Sequence, residues 1–306
     1  METTLNHLYA EVNGLRLHYV SAGQGQTMLF LHGFPEFWYL WKNQLAEFGK
    51  DHQAVALDMR GYNLSDKPEK VEEYSTDHLV SDVKGMLDQL AGGEKSVLVG
   101  HDWGGAVAWS FAMAHPEYLE KLVIVNAPHP LVFLRQFANN PDQREASAYM
   151  NMFRKPEAEE TLSANNYQVL RDAVFAGSAR PDVYTEEDKN AYIEAWSQPG
   201  ALTGGLNYYR ALPAGPPRDE TEAAAIAALL EQLVSSGSYV VHVPTLVIWG
   251  MKDIALVPGN LEGLEEYVPD LRVKRITDGT HWVISEQPDV INAAIREFIE
   301  ERPGGV

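Results

Sequence analysis

The chain of 306 residues contains no cysteine. Neither a disulfide framework nor a thiolate-held metal is therefore available to it, which excludes a small secreted scaffold stapled by cross-links. Basic residues are also scarce: 24 Lys and Arg stand against 43 Asp and Glu, a formal charge of −19. Such a surface repels phosphate backbones and anionic lipid, so nucleic acid and membrane are not expected as partners. Long apolar runs are missing as well. Ser96 to Val99 and Thr245 to Trp249 are strand-sized, far short of the roughly 20 residues of a membrane helix. Met1 to His7 shows no basic stretch followed by an apolar one, and a cytoplasmic location is expected.

What remains is an ordinary globular composition, 45% hydrophobic and 22% charged, with length enough for one large core or a core carrying an insertion. Leu8 to Val12 and Leu15 to Val20 alternate apolar residues around Asn13-Gly14, the pattern of a β-hairpin. Thr27 to Leu31 and Ala54 to Leu57 are short apolar runs closed by turn residues, as buried strands require. From there helix and strand alternate. Tyr74 to Leu90 places Leu79, Val83, Met86 and Leu90 on one face. A strand is expected over Ser96 to Val99, a helix over Gly104 to His115 and a strand over Lys121 to Val125. The strand Thr245 to Trp249 is expected to be followed by a helix, then by a strand over Arg272 to Ile276. A last helix, Asp289 to Glu300, puts Val290, Ile291, Ala294, Ile295 and Phe298 on one stripe. This alternation predicts an α/β fold with a mostly parallel sheet and helices on both faces.

The pattern changes between Pro130 and Pro217, where only helical periodicity is found. Pro128-His129-Pro130 and Leu212 to Pro217 bracket the stretch. The reading is a core domain over 1–129 and 218–306, with a helical cap over 130–217. Ala223 to Leu233 is a further helix before the core resumes.

Gly100-His101-Asp102-Trp103-Gly104-Gly105 joins a strand directly to a helix. This is the G-x-nucleophile-x-G elbow, in which a strained turn lifts one side chain above the sheet. The lifted residue is an aspartate, a type that also suits a helix N-cap. His32-Gly33-Phe34-Pro35 ends an earlier strand, so the Phe34 and Trp103 N–H groups are candidate oxyanion-hole donors. Asp253 follows one strand through Gly250-Met251-Lys252, and His281 follows another through Asp278-Gly279-Thr280. Nucleophile, acid and histidine thus come in that order, each just past the carboxyl end of a strand.

These stretches, with Gly279 to Trp282, resemble the α/β-hydrolase-fold epoxide hydrolases. The resemblance runs over nearly the whole chain and takes in Asp58 to Asp66, where Asn63 stands at a position the family usually gives to glycine. It implies the α/β-hydrolase fold, with Asp102, Asp253 and His281 as catalytic residues. It also implies a pair of cap tyrosines aimed at the nucleophile. Asn207-Tyr208-Tyr209-Arg210 resembles the segment of the second, Tyr209; Tyr149 stands where the first would be. Trp38, Trp103 and Trp282 are the candidate substrate-contacting aromatics. The partners implied are a small hydrophobic epoxide, or an organohalide, and water, taken by a monomer or homodimer with no metal and no organic cofactor.

The chemistry fits those residue types. An ionised aspartate attacks a tetrahedral carbon without a general base, and protonated phenols can hydrogen-bond the alkoxide that an opening epoxide generates. A dehalogenase by the same aspartyl-ester route is the nearest rival. Haloalkane dehalogenases often place Asn where Phe34 stands here; fluoroacetate dehalogenases follow the nucleophile with Arg and carry a His-Trp pair where this chain has Tyr149-Met150. An ester or lactone hydrolase is disfavoured by the absence of serine at position 102. A non-catalytic receptor on the same fold would bind epoxides without consuming them.

Overall fold

In the computed structural model the described residues are 4–213, 215–235, 237 and 239–301; Met1 to Thr3 of the N-terminal reading and Ala214 of the second proline bracket lie outside them. A single eight-stranded sheet runs in the order β1-β2-β4-β3-β5-β6-β7-β8. The strands are β1 Asn6–Val12, β2 Leu15–Ala22, β3 Thr27–Leu31, β4 Gln53–Leu57, β5 Ser96–His101, β6 Leu119–Val125, β7 Thr245–Gly250 and β8 Leu271–Ile276. Strands β4 to β8 and β3 pair in parallel, while the hairpin β1-β2 joins one edge antiparallel to β4. Asn13 and Gly14 close that hairpin with φ of 53° and 78°, the left-handed backbone a two-residue turn needs.

The central strands β3, β5 and β7 are buried at every position, which is why they read as continuous apolar runs rather than alternating ones. Helix Thr76–Leu90 buries Leu79, Val83 and Met86 as its spacing dictates, and also Asp82. Asp82 binds Arg60 through Nε and Nη2 at 2.5 and 2.6 Å, the two side chains being 5% and 3% exposed. The Asn13 side chain donates to the same carboxylate at 2.9 Å, tying the hairpin turn to this pair. Asn63 takes φ of 41°, backbone that asparagine tolerates better than most residues, so it substitutes for glycine without strain on its neighbours.

Two expectations about elements are corrected. No α-helix follows β7; short 3₁₀ turns, Pro258–Leu261 and Leu264–Glu266, take its place. Pro258 lacks the donor a helix interior would use, and Gly263, at φ 66°, turns the chain out of helical geometry. In helix Pro288–Glu300 the buried residues are Ile291, Ala294, Ile295 and Phe298, but Val290 is 39% exposed. One residue ahead of Ile291, it is rotated by about 100° off the apolar stripe.

Between β6 and β7 come helices Pro130–Asn139, Pro141–Ala146, Tyr149–Phe153, Ala158–Arg171, Glu186–Ser197, Ala201–Arg210 and Glu220–Ser235. Helices Glu186–Ser197 and Ala201–Arg210 meet the turns beyond the carboxyl ends of β3 and β4. The Trp196 indole donates to the Pro35 carbonyl at 2.6 Å, the Tyr208 hydroxyl to the Arg60 carbonyl at 2.9 Å, and the Tyr192 hydroxyl to Glu36. Helices Pro130–Asn139 and Glu220–Ser235 pack against each other. Among the described residues no helix is long and apolar enough to cross a membrane.

Removing one member of a buried ion pair leaves the other charge unpaired. Asp82→Ala is therefore expected to destabilise the protein by about 3–5 kcal/mol, read as a lowered midpoint in thermal or urea unfolding. An unchanged midpoint would show that Arg60 finds other anionic company.

Candidate active site

Strand β5 ends at His101, and the next residue, Asp102, takes φ 50° and ψ −122° before helix Trp103–Ala114 begins. That backbone is strained for a residue with a side chain, and its effect is to raise the carboxylate off the sheet. Although Asp102 occupies the N-cap position, its side chain makes no capping hydrogen bond. It turns instead to the end of β3. Its Oδ1 accepts from the Phe34 N–H at 2.8 Å. The Trp103 N–H acts on the same carboxylate and, with Phe34, favours its charged form. Glycine makes the approach feasible: a Cβ on Gly33 would lie 2.1 Å from Asp102 Oδ1, and one on Gly104 would lie 2.3 Å from the Leu31 carbonyl.

His281 completes the cluster from beyond β8. Its Nδ1–H donates to Asp253 Oδ2 at 2.7 Å, and its Nε2 faces Asp102 Oδ2 at 3.7 Å. Asp253 is buried and saturated with donors. Oδ1 accepts from the Ala255 and Leu256 N–H groups at 2.8 and 2.9 Å, and Oδ2 accepts from the Asn126 amide at 2.7 Å. A carboxylate so satisfied can orient an imidazole without seeking other partners. Asn126 itself, just past β6 with φ 43°, accepts from the Gly250 N–H at 2.9 Å. It thereby joins the ends of β6 and β7 under the cluster.

The charges balance unevenly. Burial works against the His281 imidazolium, but the carboxylates of Asp253 and Asp102 outweigh it and raise the pKa to about 9. Burial also pushes the Asp102 carboxyl up from its ordinary range, opposed by His281 and by the two backbone donors. Glu36, 1% exposed, is pushed up to about 8 by burial, against the Tyr192 hydrogen bond and His281 and with Asp102 adding to the rise. It is held mostly protonated near neutral pH.

The two tyrosines singled out in the sequence meet above Asp102. Their ring centroids are 6.3 Å apart. Tyr209 is buried, edge-on to Trp103 at 5.2 Å and to Phe34 at 5.7 Å. Burial, with the Asp102 charge adding to it, raises both phenols above their ordinary value. Both therefore stay protonated. Phe153 packs on Tyr149 and Tyr209 at 5.1 and 5.0 Å, closing the wall around them.

Of the three candidate tryptophans, Trp103 stands at the site. Trp282 packs edge-on against the His281 imidazole at 4.9 Å, so it buttresses the base. Trp38 is placed differently from expectation. Its N–H donates to Asp58 at 2.9 Å, and its ring packs on His7 of edge strand β1 at 5.1 Å. The backbone bond to the end of β4 fixes the turn Trp38–Trp41 and points that ring toward the hairpin.

Sequence reasoning missed several residues that matter here. His101 Nε2–H donates to the His281 carbonyl at 2.9 Å. His32 donates to the Gly33 carbonyl at 2.8 Å and accepts from the Met59 N–H at 3.1 Å, pinning the turn that carries Phe34. Burial lowers the His32 pKa to about 4, so it serves as a neutral connector. Glu36 and Asn126 complete the set. His32 and His101 lie inside the motifs already noted, and Glu36 directly follows one of them, a signal available in the sequence; Asn126 carries none. Among the described residues no group of three or more His, Asp or Glu side chains is disposed to hold a metal.

The chain is similar in sequence and fold to a known group of proteins. Residues 26–288 match the family model for the alpha/beta hydrolase fold. The chain is 40% identical over 298 residues to the AB hydrolase superfamily protein YfhM of Bacillus subtilis, covering 96% of this chain and 98% of that protein. It is 38% identical over 305 residues to epoxide hydrolase 4 of Mus musculus, covering 96% of this chain and 80% of that one. Among solved structures, an epoxide hydrolase from Bacillus megaterium superposes with a TM-score of 0.87 at 37% identity, over 96% of this chain and all of that one. A variant of it, crystallised with its diol product, a naphthyloxy-propane-1,2-diol, has the same score and coverage. The chain belongs to the α/β-hydrolase-fold family of epoxide hydrolases.

Proposed function

We propose that this protein hydrolyses an epoxide to a vicinal diol through a covalent ester on Asp102. The observation that carries this reading is the pairing of an anionic nucleophile with two protonated phenols, Tyr149 and Tyr209, in one aromatic enclosure. The kinship with proteins named epoxide hydrolases supports it. Residues 130–217 act as the cap and 1–129 with 218–306 as the core.

With Oδ1 held by the Phe34 N–H and Oδ2 facing His281 Nε2 at 3.7 Å, Oδ2 is the attacking atom. The Oδ2–carbon bond forms as the carbon–oxygen bond of the ring breaks. The alkoxide is hydrogen-bonded by the phenols and takes up a proton. Alkylation removes the Asp102 charge and with it part of the attraction that holds the proton on His281. The proton released there balances the one the alkoxide gains. His281, now neutral and oriented by Asp253, takes a proton from water at Nε2, and the water oxygen bonds to the ester carbon. The tetrahedral oxyanion sits on Oδ1 in the same hole. Collapse breaks the bond from that carbon to Oδ2, which leaves in the diol with the second proton of the water, while the water oxygen stays in the Asp102 carboxylate and His281 keeps the first proton.

The dehalogenase alternative is weakened by the two protonated phenols beside Asp102, since a departing halide takes up no proton. A receptor role is separated by turnover. The acidic, cysteine-free composition fits a cytoplasmic monomer or homodimer acting on a small hydrophobic epoxide and water.

Because two carboxylates hold the His281 proton, replacing either with an amide lowers its affinity. Asp102→Asn and Asp253→Asn are each expected to move the imidazole titration below the resting value of about 9, followed by NMR of labelled histidine. A titration unmoved in both would remove the carboxylates as its cause.

His281→Gln is expected to accumulate an adduct of enzyme plus epoxide in intact-protein mass spectrometry. In the unsubstituted enzyme, single turnover in heavy-oxygen water is expected to label Asp102. Label in the first-turnover diol instead would mean direct attack by water.

Tyr209→Phe and Tyr149→Phe are each expected to slow alkylation by about 10²–10³, the usual cost of one charge-stabilising donor, with the double variant nearly inactive. Stopped-flow tryptophan fluorescence reads this step. Undiminished ring opening in the double variant would remove the phenols from the mechanism.

A further inference from the structure

Glu286 stands outside the cluster that does the chemistry, yet its carboxylate is buried and heavily used. Oε1 accepts from the Ser178 hydroxyl at 2.9 Å, the Ala179 N–H at 2.7 Å and the Thr280 hydroxyl at 2.6 Å. Oε2 accepts from the Thr280 N–H at 2.9 Å. Two of these donors belong to the helical segment over the sheet. The other two belong to the residue just before His281. The Thr280 hydroxyl also accepts from the Trp282 N–H at 3.2 Å, so the carboxylate grips both flanks of the histidine.

The Ser178 side of this clamp needs an external anchor. Upstream, helix Ala158–Arg171 is broken by Asn165, Asn166 and Tyr167, with φ of 50°, 56° and 60°. A π-helix, Asp172–Ala176, follows and leads through Gly177 to Ser178. Left-handed backbone is unfavourable for residues with a Cβ, and π-turns are rare outside functional positions. Such a segment is poorly held by its own backbone bonds, and the carboxylate provides the fixed point where it meets the core. Ser178 is buried there, although the residues that follow it are exposed.

We propose that Glu286 is a positioning residue that couples the seating of cap segment 177–180 to the placement of His281. When that segment is seated, Thr280 is held by both its N–H and its hydroxyl, and the imidazole lies in line between Asp253 and Asp102. When it lifts, Thr280 loses part of its restraint and the base loses its register. The kinetic consequence, which rests on reading His281 as the base that hydrolyses the ester, falls on the second step: Asp102 needs no base to attack, whereas ester hydrolysis does.

The test uses the whole chain and hydrogen exchange with mass spectrometry, without substrate. Ser178→Ala removes one donor on the cap side only. It is expected to accelerate exchange in both 177–180 and 279–282, by a common factor of roughly two- to tenfold, as the loss of one net hydrogen bond allows. Acceleration confined to 177–180, or none in either stretch, overturns the coupling. Glu286→Gln replaces one acceptor oxygen with a donor and is expected to slow ester hydrolysis in single-turnover runs while leaving alkylation unchanged. Equal slowing of both steps would mark Glu286 as merely structural. Should that variant fail to fold, Ser178→Ala still decides the matter. The exchange arm needs no epoxide, so it judges the coupling even on a protein that turns none over.

Discussion

A carboxylate buried at a strand-to-helix turn must be given donors or lose its charge, and the architecture around Asp102 answers that demand. The Phe34 N–H beyond β3 takes one oxygen, and His281 faces the other. A second buried carboxylate, Asp253, is needed to hold the imidazole, and it draws its own donors from the 255–256 turn and from Asn126. Each requirement generates the next. Ionised groups are expensive to bury singly, so the site is a closed set of hydrogen-bonded partners drawn from the ends of five strands.

The shared charge also gives the site its sequence of states. With both aspartates anionic, His281 keeps its proton; on the proposed route, esterification of Asp102 would remove one of its anionic neighbours. A base silent during attack and active afterwards would then need no moving part, only the loss of a charge 3.7 Å away. Glu36, held near neutrality of charge by burial, adds little negative potential of its own in the resting state.

The helices between β6 and β7 complete this electrostatics from above. Tyr149 and Tyr209 bring hydroxyls into an enclosure made by Phe34, Trp103 and Phe153. The same burial that raises the carboxyl of Asp102 keeps the phenols protonated. Low-dielectric surroundings thus favour an acid and a nucleophile side by side, since hydrogen bonds there are worth more than in water. The contacts of Trp196 with Pro35, and of Tyr192 with Glu36, bring these helices onto the loop that carries the Phe34 donor.

Much of this was readable before any coordinates. Local chemistry dictated the hairpin at Asn13-Gly14, the buried strands β3, β5 and β7, and the elbow at Asp102, because periodicity and turn residues act over a few neighbouring positions. The order of nucleophile, acid and histidine at strand ends was equally visible. Where local signals compete, the reading failed. The apolar stretch after β7 looked helical, but its prolines and glycines keep it in short turns. Val290 looked like core until the rotation of its helix was fixed by packing. Trp38 looked like part of the site until a hydrogen bond to Asp58 turned its ring toward His7. Only the tertiary structure discloses the partners of Asn126, His101 and Glu286. Each is bonded to a residue some 100 or more positions distant along the chain, and no spacing rule reaches that far. The sequence by itself determined which chemistry was available and at which strand ends it would stand. The placement of helices over the sheet decided which side chains would meet, because buried polar groups choose their partners by proximity in space and not along the chain.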